Sequence, residues 1–416
     1  MLHLNKIYTY IKNCLNFKYT LFFFILANVL SFFSLWISYP VGIVFSILSL
    51  LFLIIFINQL IRILLDKQSI FFVLFILFQC FSFVNYLIID YSWQIICSNP
   101  SLILQAISYI LIPQILFYYL GFTDAKKKTH DENLNLRLIT IIFLFVFVFG
   151  IYLHFFRPLY FVNFQERVFL SDKTTGYIDF YPKFTIFWNS MIVGVLGVSL
   201  FWTTLLVKNR QIWFKFISGV IFFIALIFST QRGAWASLLI SGLIFFIFFF
   251  SLTGLKYLFL LSILLGFGLI VSSNFIEIDS PIFVDLFNRF NAIDNAFNER
   301  SYQFENFIYL ISKFPFGVGL GLLSHKASDL NLLYTTPDGN YYRIFGETGF
   351  FGFVSFATLI ISSVYKSYKR KLKLFFIIII IYLLQSLGTN VLDLYAASFF
   401  FWYVIGQVNG SVRNHI

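Results

Sequence analysis

The chain has 416 residues, of which 60% are apolar and 11% charged, against roughly 45–50% and about 25% in soluble globular domains. No water-facing surface can be built from that inventory, which excludes a soluble enzyme, a secreted domain and a nucleic-acid-binding protein and leaves a polytopic membrane protein. The net charge of +11 suggests an anionic partner only until its distribution along the chain is read.

A helix that crosses hydrocarbon needs about 20 mostly apolar residues. Cutting at charges, prolines and polar clusters gives twelve such runs: 20–38, 41–61, 70–89, 101–121, 138–156, 184–207, 216–230, 234–250, 257–274, 341–365, 374–390 and 394–409. No small-residue cleavage site follows the first run, so it is expected to remain as a helix and not to leave as a signal peptide. The expected fold is therefore all-α and polytopic, one integral membrane domain over 1–416 with about 12 transmembrane helices.

Orientation follows from Lys and Arg in the loops. With the N-terminus on the cytoplasmic side, the inner segments hold nineteen of the 29 Lys and Arg and four of the 18 Asp and Glu. The outer segments keep ten basic and fourteen acidic residues, and both termini fall inside. The positive charge is mainly a signal of topology. Cys14, Cys80 and Cys97 fall in a terminus, an apolar run and a short loop, which is neither a disulfide framework nor a metal spacing.

Two outer segments, 157–183 and 275–340, are longer than helix connections require. Within the second, Pro281 to Phe297 and Glu299 to Lys313 carry apolar residues at helical spacing (Phe304, Phe307, Ile308, Ile311), as in short amphipathic helices on the membrane–water boundary. Gly317, Gly319, Gly321 and the turn Pro337-Asp338-Gly339 follow.

Charge on the outer side opposes the insertion bias, so each residue there asks for a reason. Arg232, between two apolar runs, either anchors a tight turn or stands as a cation at the rim of a cavity. Arg300 can pair with Glu299, Asp294 or Glu305, and Arg289 with Asp285 four residues earlier. Arg343 lies four residues before Glu347, a spacing that also suits internal neutralisation. Asp338-Gly339-Asn340 opens the tenth span; Asp338 can cap it, and the helix end offers a positive dipole and N–H groups to phosphate. Gly346, Gly349 and Gly352 recur every third residue, which reads as close helix packing. Several arginines on one side of a membrane imply an anionic, multidentate ligand, and a lipid-linked phosphate or pyrophosphate is the obvious one.

The stretch Ser229 to Ser237 (STQRGAWAS) resembles a Ser-Arg-Gly-Ala-Trp-like motif of the O-antigen polymerase and ligase family (Wzy and WaaL type). The resemblance continues through Arg300, Lys313 to Gly321 (KFPFGVGLG), Asp338 to Tyr342 (DGNYY) and Gly346 to Gly352 (GETGFFG), in that order. It implies a GT-C-like glycosyltransferase of the bacterial inner membrane with a large late periplasmic loop. The implied partners are an undecaprenyl-pyrophosphate-linked glycan donor and acceptor, membrane lipids and a chain-length regulator, with no cofactor, metal or nucleic acid. In such a reaction Arg232, Arg300, Arg343 and Arg289 would hold the pyrophosphate, with Asp338, and Glu347 behind it, as general base. Family ligases carry a histidine before the asparagine of the late span; this chain reads Asp338-Gly339-Asn340, with His325 thirteen residues earlier, which favours a polymerase over a ligase. Two other readings remain: a flippase or transporter for lipid-linked oligosaccharide, and a metal-dependent transferase using Glu277 and Asp279.

Overall fold

A computed structural model describes residues 19–26, 40–126, 134–156, 190–207, 211–229, 231–249, 304–323, 338–393 and 395–411, and every regular element among them is helical. In chain order these are α1 (19–26), α2 (Pro40–Ile55), α3 (Ile57–Leu64), α4 (Ile70–Ser82), α5 (Asn85–Ile88), α6 (Asp90–Ser98), α7 (Ser101–Ala106), α8 (Ile112–Lys126), α9 (Leu134–Phe156), α10 (Ser190–Leu206), α11 (Ile212–Phe228) and α12 (Arg232–Phe249). They continue with α13 (304–313), α14 (Asn340–Lys369), α15 (Lys373–Gln385) and α16 (Tyr395–Gly410). Helix is the form in which an apolar chain satisfies its own backbone N–H and C=O groups where water is absent.

Among the described residues, five helical segments are long and apolar enough to cross a membrane: Lys67–Ile88, Ser101–Lys126, Leu136–Leu153, Arg232–Phe249 and Asn340–Lys369. They coincide with five of the expected spans. Shorter apolar helices, Met191–Leu206, Ile212–Phe228 and Lys373–Gln385, occupy three more, and α16 lies on the last. Most of the first run, the ninth (257–274), the loop 157–183 and the expected helix 281–297 lie outside the described residues. The run 41–61 differs from expectation. It is broken at Phe56, and the pieces Val44–Ile55 and Ile57–Leu64 meet at 81°. The polar residues Asn58, Gln59 and Arg62 begin there, and a chain that kept its direction would carry them into or beyond the headgroups.

The chain forms two compact units, residues 1–135 with 299–416, and residues 136–298. In the first, α8 and α16 approach backbone to backbone: a Cβ on Gly121 would stand 2.1 Å from the Tyr403 carbonyl oxygen, and one on Gly406 2.3 Å from that of Tyr118. Around this pair Phe72 stacks on Tyr118 with centroids 3.7 Å apart, Phe75 on Trp402 at 5.8 Å, and Phe117 on Phe399 at 4.3 Å. At one end of the unit, Lys126 Nζ meets Asp66 Oδ2 at 2.5 Å. There too Lys366 Nζ donates to the Gln68 carbonyl, and Arg370 donates to the Val408 carbonyl and Ser411 Oγ. These residues come from segments that the topology reading puts on one side of the membrane. In the second unit, Trp202 Nε1 on α10 donates to Ser241 Oγ on α12 at 2.9 Å, and Phe147 on α9 packs edge-on against Phe222 on α11.

Candidate functional site

At the other end of the first unit, α13 runs into residues 314–323 (FPFGVGLGLL), which lie across α14. The crossing is possible because α14 is broken at Gly349 (φ 69°, ψ −171°). In an unbroken helix the carbonyls of Gly346 and Glu347 would accept from residues four further on. Here they accept from the loop, Val318 N at 2.8 Å and Gly319 N at 3.1 Å, while Phe350 N turns to the Pro315 carbonyl at 3.0 Å. The contact is mutual: a Cβ on Gly317 would lie 2.4 Å from the Glu347 carbonyl oxygen, and one on Gly349 2.2 Å from Phe316 C. Gly349 therefore serves a backbone crossing and not the helix–helix packing its spacing suggests. Gly346 does meet side chains, those of Leu323, Leu310 and Phe307.

Side chains from α5 and α6 hold the outer edge of the loop. Asn85 Nδ2 donates to the carbonyls of Phe316 (2.8 Å) and Gly317 (3.1 Å), Ser92 Oγ to that of Val318 (2.8 Å), and the Tyr86 hydroxyl to that of Leu320. Sequence reasoning passed over all three. The one available signal was Asn85, a polar residue interrupting the apolar run 70–89. On α13, Phe307 and Leu310 are buried, whereas Phe304 and Ile308 are exposed, so only part of the apolar stripe turns toward the unit.

Glu347 and Arg343 sit beneath the crossing. Glu347 Oε2 stands 3.7 Å from Arg343 Nη1, with the two side chains 1% and 2% exposed. The other carboxylate oxygen accepts from Leu323 N at 3.2 Å, tying the end of the loop to α14. Internal neutralisation is thus part of what this pair does. At the start of α14 the cap position falls on Gly339 (φ 143°), one residue after Asp338. Gly339 N donates to Asn390 Oδ1 at 3.2 Å and Asn340 N to the Ser386 carbonyl at 3.0 Å. Asn340 Oδ1 accepts from Leu392 N at 3.0 Å. Part of the N–H array expected to face phosphate is thereby taken up by the segment after α15. Asp338 is half-buried at this opening.

In the second unit, Arg232 is the first residue of α12 and is exposed at the tip of the α11–α12 hairpin. The Gln231 carbonyl accepts from Ala234 N and Trp235 N in the first turn of α12, and Trp235 Nε1 ties the hairpin together by donating to the Leu226 carbonyl of α11 at 3.0 Å. The remaining candidates, Arg289, Arg300, Glu277, Asp279 and His325, lie outside the described residues.

With every regular element among the described residues helical and several of them apolar spans, this is a membrane protein. Residues 217–357 match a family model described as O-antigen ligase (Wzy_C). The matched segment takes in Arg232 in one unit and the loop crossing, Asp338, Arg343 and Glu347 in the other, and this part of the chain is similar to the Wzy/WaaL-like family of O-antigen polymerases and ligases. No curated protein matches the chain.

Proposed function

We propose that this chain is a polysaccharide polymerase of the O-antigen type, a multi-pass protein of the bacterial inner membrane with both termini cytoplasmic. It would transfer a growing glycan from undecaprenyl pyrophosphate to a lipid-linked repeat unit on the periplasmic side. The observation that carries this reading is the family match over 217–357, which contains every motif of the resemblance in order. In the proposed step an acceptor hydroxyl attacks the anomeric carbon, the bond to pyrophosphate breaks with its electron pair leaving on the phosphate, and the proton passes to a carboxylate. Attack from the opposite face inverts the centre.

Of the two candidate carboxylates, Asp338 is half-buried at the opening of α14, while Glu347 is enclosed and engaged by Leu323 N and Arg343. That contrast supports Asp338 as the base, with Glu347 behind it, a role of about 10²–10⁴-fold in rate. Arg232 and Arg300, with Arg289 and Arg343, would offset the charge growing on the leaving pyrophosphate, as fixed guanidinium groups do well; the burial of Arg343 suits it to act through its field more than by contact. As written, the step uses no metal ion or cofactor. The ligase reading is favoured by the family's own description, and its product would be glycan joined to lipid A-core.

The test uses the full-length protein at unchanged membrane level. Arg232→Ala, Arg300→Ala and Asp338→Asn should each abolish long-chain glycan and leave single repeats on the acceptor. An unaltered chain-length distribution in all three would remove the proposal. Long chains that accumulate on the carrier lipid with none on lipid A-core would establish the ligase in its place.

A further inference from the structure

The break at Phe56 gives the first unit a helix that does not follow its neighbours. α3 departs from α2 at 81°, so if α2 crosses the bilayer, α3 runs nearly in its plane. Its residues divide accordingly. Leu60 and Ile63 are buried against the unit, and Gln59 Oε1 accepts from the Tyr119 hydroxyl of α8 at 2.9 Å. Ile57, Ile61 and Leu65, four residues apart, are exposed, Leu65 to 80%. This stripe continues the exposed apolar residues Ile47, Leu51 and Ile55 of α2, so the hydrocarbon boundary turns with the chain. A polar edge runs beside it, with Asn58, Arg62 and Lys67 exposed. An apolar stripe flanked by cations on an in-plane helix is the pattern of an interfacial anchor.

The surroundings fix the sign of the charge it would meet. α3 leads into Asp66, whose Oδ1 accepts from Gln68 N at 3.0 Å and whose Oδ2 meets Lys126. The Gln68 carbonyl and Oε1 in turn accept from Lys366 and Arg370. Lys369, the last residue of α14, and Lys371, on the turn after it, are exposed. The nearby carboxylates are already engaged: Asp66 by Lys126, and Asp124 by the hydroxyls of Thr20 and Tyr403. Among the described residues, cations therefore exceed carboxylates at this end of the unit.

We propose that α3 is an in-plane anchor whose Arg62, with the adjoining Lys67, binds the headgroups of anionic phospholipids while Ile57, Ile61 and Leu65 seat in the acyl chains beneath. The proposal concerns the membrane and not the glycan, and it stands apart from the reaction proposed above. It is tested on the full-length purified protein in phosphatidylcholine nanodiscs with and without phosphatidylglycerol, read by native mass spectrometry of retained lipid and by the thermal midpoint.

Phosphatidylglycerol should be retained in preference to phosphatidylcholine, and its presence should raise the midpoint. Arg62→Gln and Lys67→Gln should each weaken retention about fivefold, and Arg62→Lys should restore it. Added salt should weaken it in the unaltered protein, a readout that survives if a variant fails to fold. Lys313→Gln, at the opposite end of the unit, should change nothing. Equal retention of the two lipids, or undiminished selectivity in Arg62→Gln with Lys67→Gln, would overturn the anchor.

Discussion

Gly349→Ala tests the loop crossing at its narrowest point. The new methyl group would stand 2.2 Å from Phe316 C and 2.5 Å from its Cα, backbone atoms that no side-chain rotation can clear. Two escapes exist. If the loop stays, the backbone at Gly349 remains in a region essentially closed to L-residues, at about 1–3 kcal/mol, with overpacking of similar size added. If the loop leaves, the three bonds joining Val318, Gly319 and Pro315 to α14 are lost, at about 0.5–1.5 kcal/mol each. The closed state therefore rises by about 2–6 kcal/mol relative to the open one, so the open loop should become at least roughly 30-fold more populated. Hydrogen exchange on the purified full-length protein reads this directly, because the amides of Val318 and Gly319 donate to α14 in that contact. Their exchange should rise by about two orders of magnitude, while Gly219→Ala, where the nearest atom is Phe201 Cε2 at 3.9 Å, should leave it unchanged. Wild-type exchange in Gly349→Ala would show that the crossing does not hold the loop.

Two further outcomes follow from the charged pairs. Arg343→Met leaves the Glu347 carboxylate buried without its ion pair, at a cost of about 3–5 kcal/mol; adding Glu347→Gln removes that charge but keeps an acceptor for Leu323 N, so the double variant should regain at least half of the loss in thermal or denaturant unfolding. Burial works to raise the pKa of Asp66, but Lys126 and the Gln68 N–H outweigh it and hold the carboxyl below its ordinary value. Its contribution to stability is therefore present above the unfolded pKa of about 3.9 and is lost as pH falls through the folded value. The thermal midpoint of Asp66→Asn should accordingly fall less than that of the unaltered protein when the pH is lowered through that range, and equal falls would refute the assignment.

The span at 341–365 shows how far composition reaches. Its apolar length announces a helix, and α14 is there. The interruption at Gly349 is not legible, because three glycines spaced by three serve a packing face and a backbone crossing equally well until the partner is known. The run 41–61 is similar: its hydropathy marks a membrane segment, yet the 81° turn depends on where Asn58, Gln59 and Arg62 find water and on what α8 offers to Gln59. Arg343 and Glu347 were legible as a pair from their spacing. Their burial, and the Leu323 N–H that Glu347 accepts, were not.

What the amino-acid sequence by itself determined is the solvent this protein requires, the helical class and the ordered motifs of the family it resembles, because burial in lipid acts on each run of about 20 residues separately and the motifs are local strings. Only the tertiary structure decided that Asn85, Tyr86 and Ser92, more than 200 positions from Phe316 to Leu320, hold the late loop by its carbonyls. It also decided that Glu347 turns inward while Asp338 stays at the opening. Those assignments depend on which donor meets which acceptor across the fold, a property that belongs to pairs of distant residues and is carried by neither one alone.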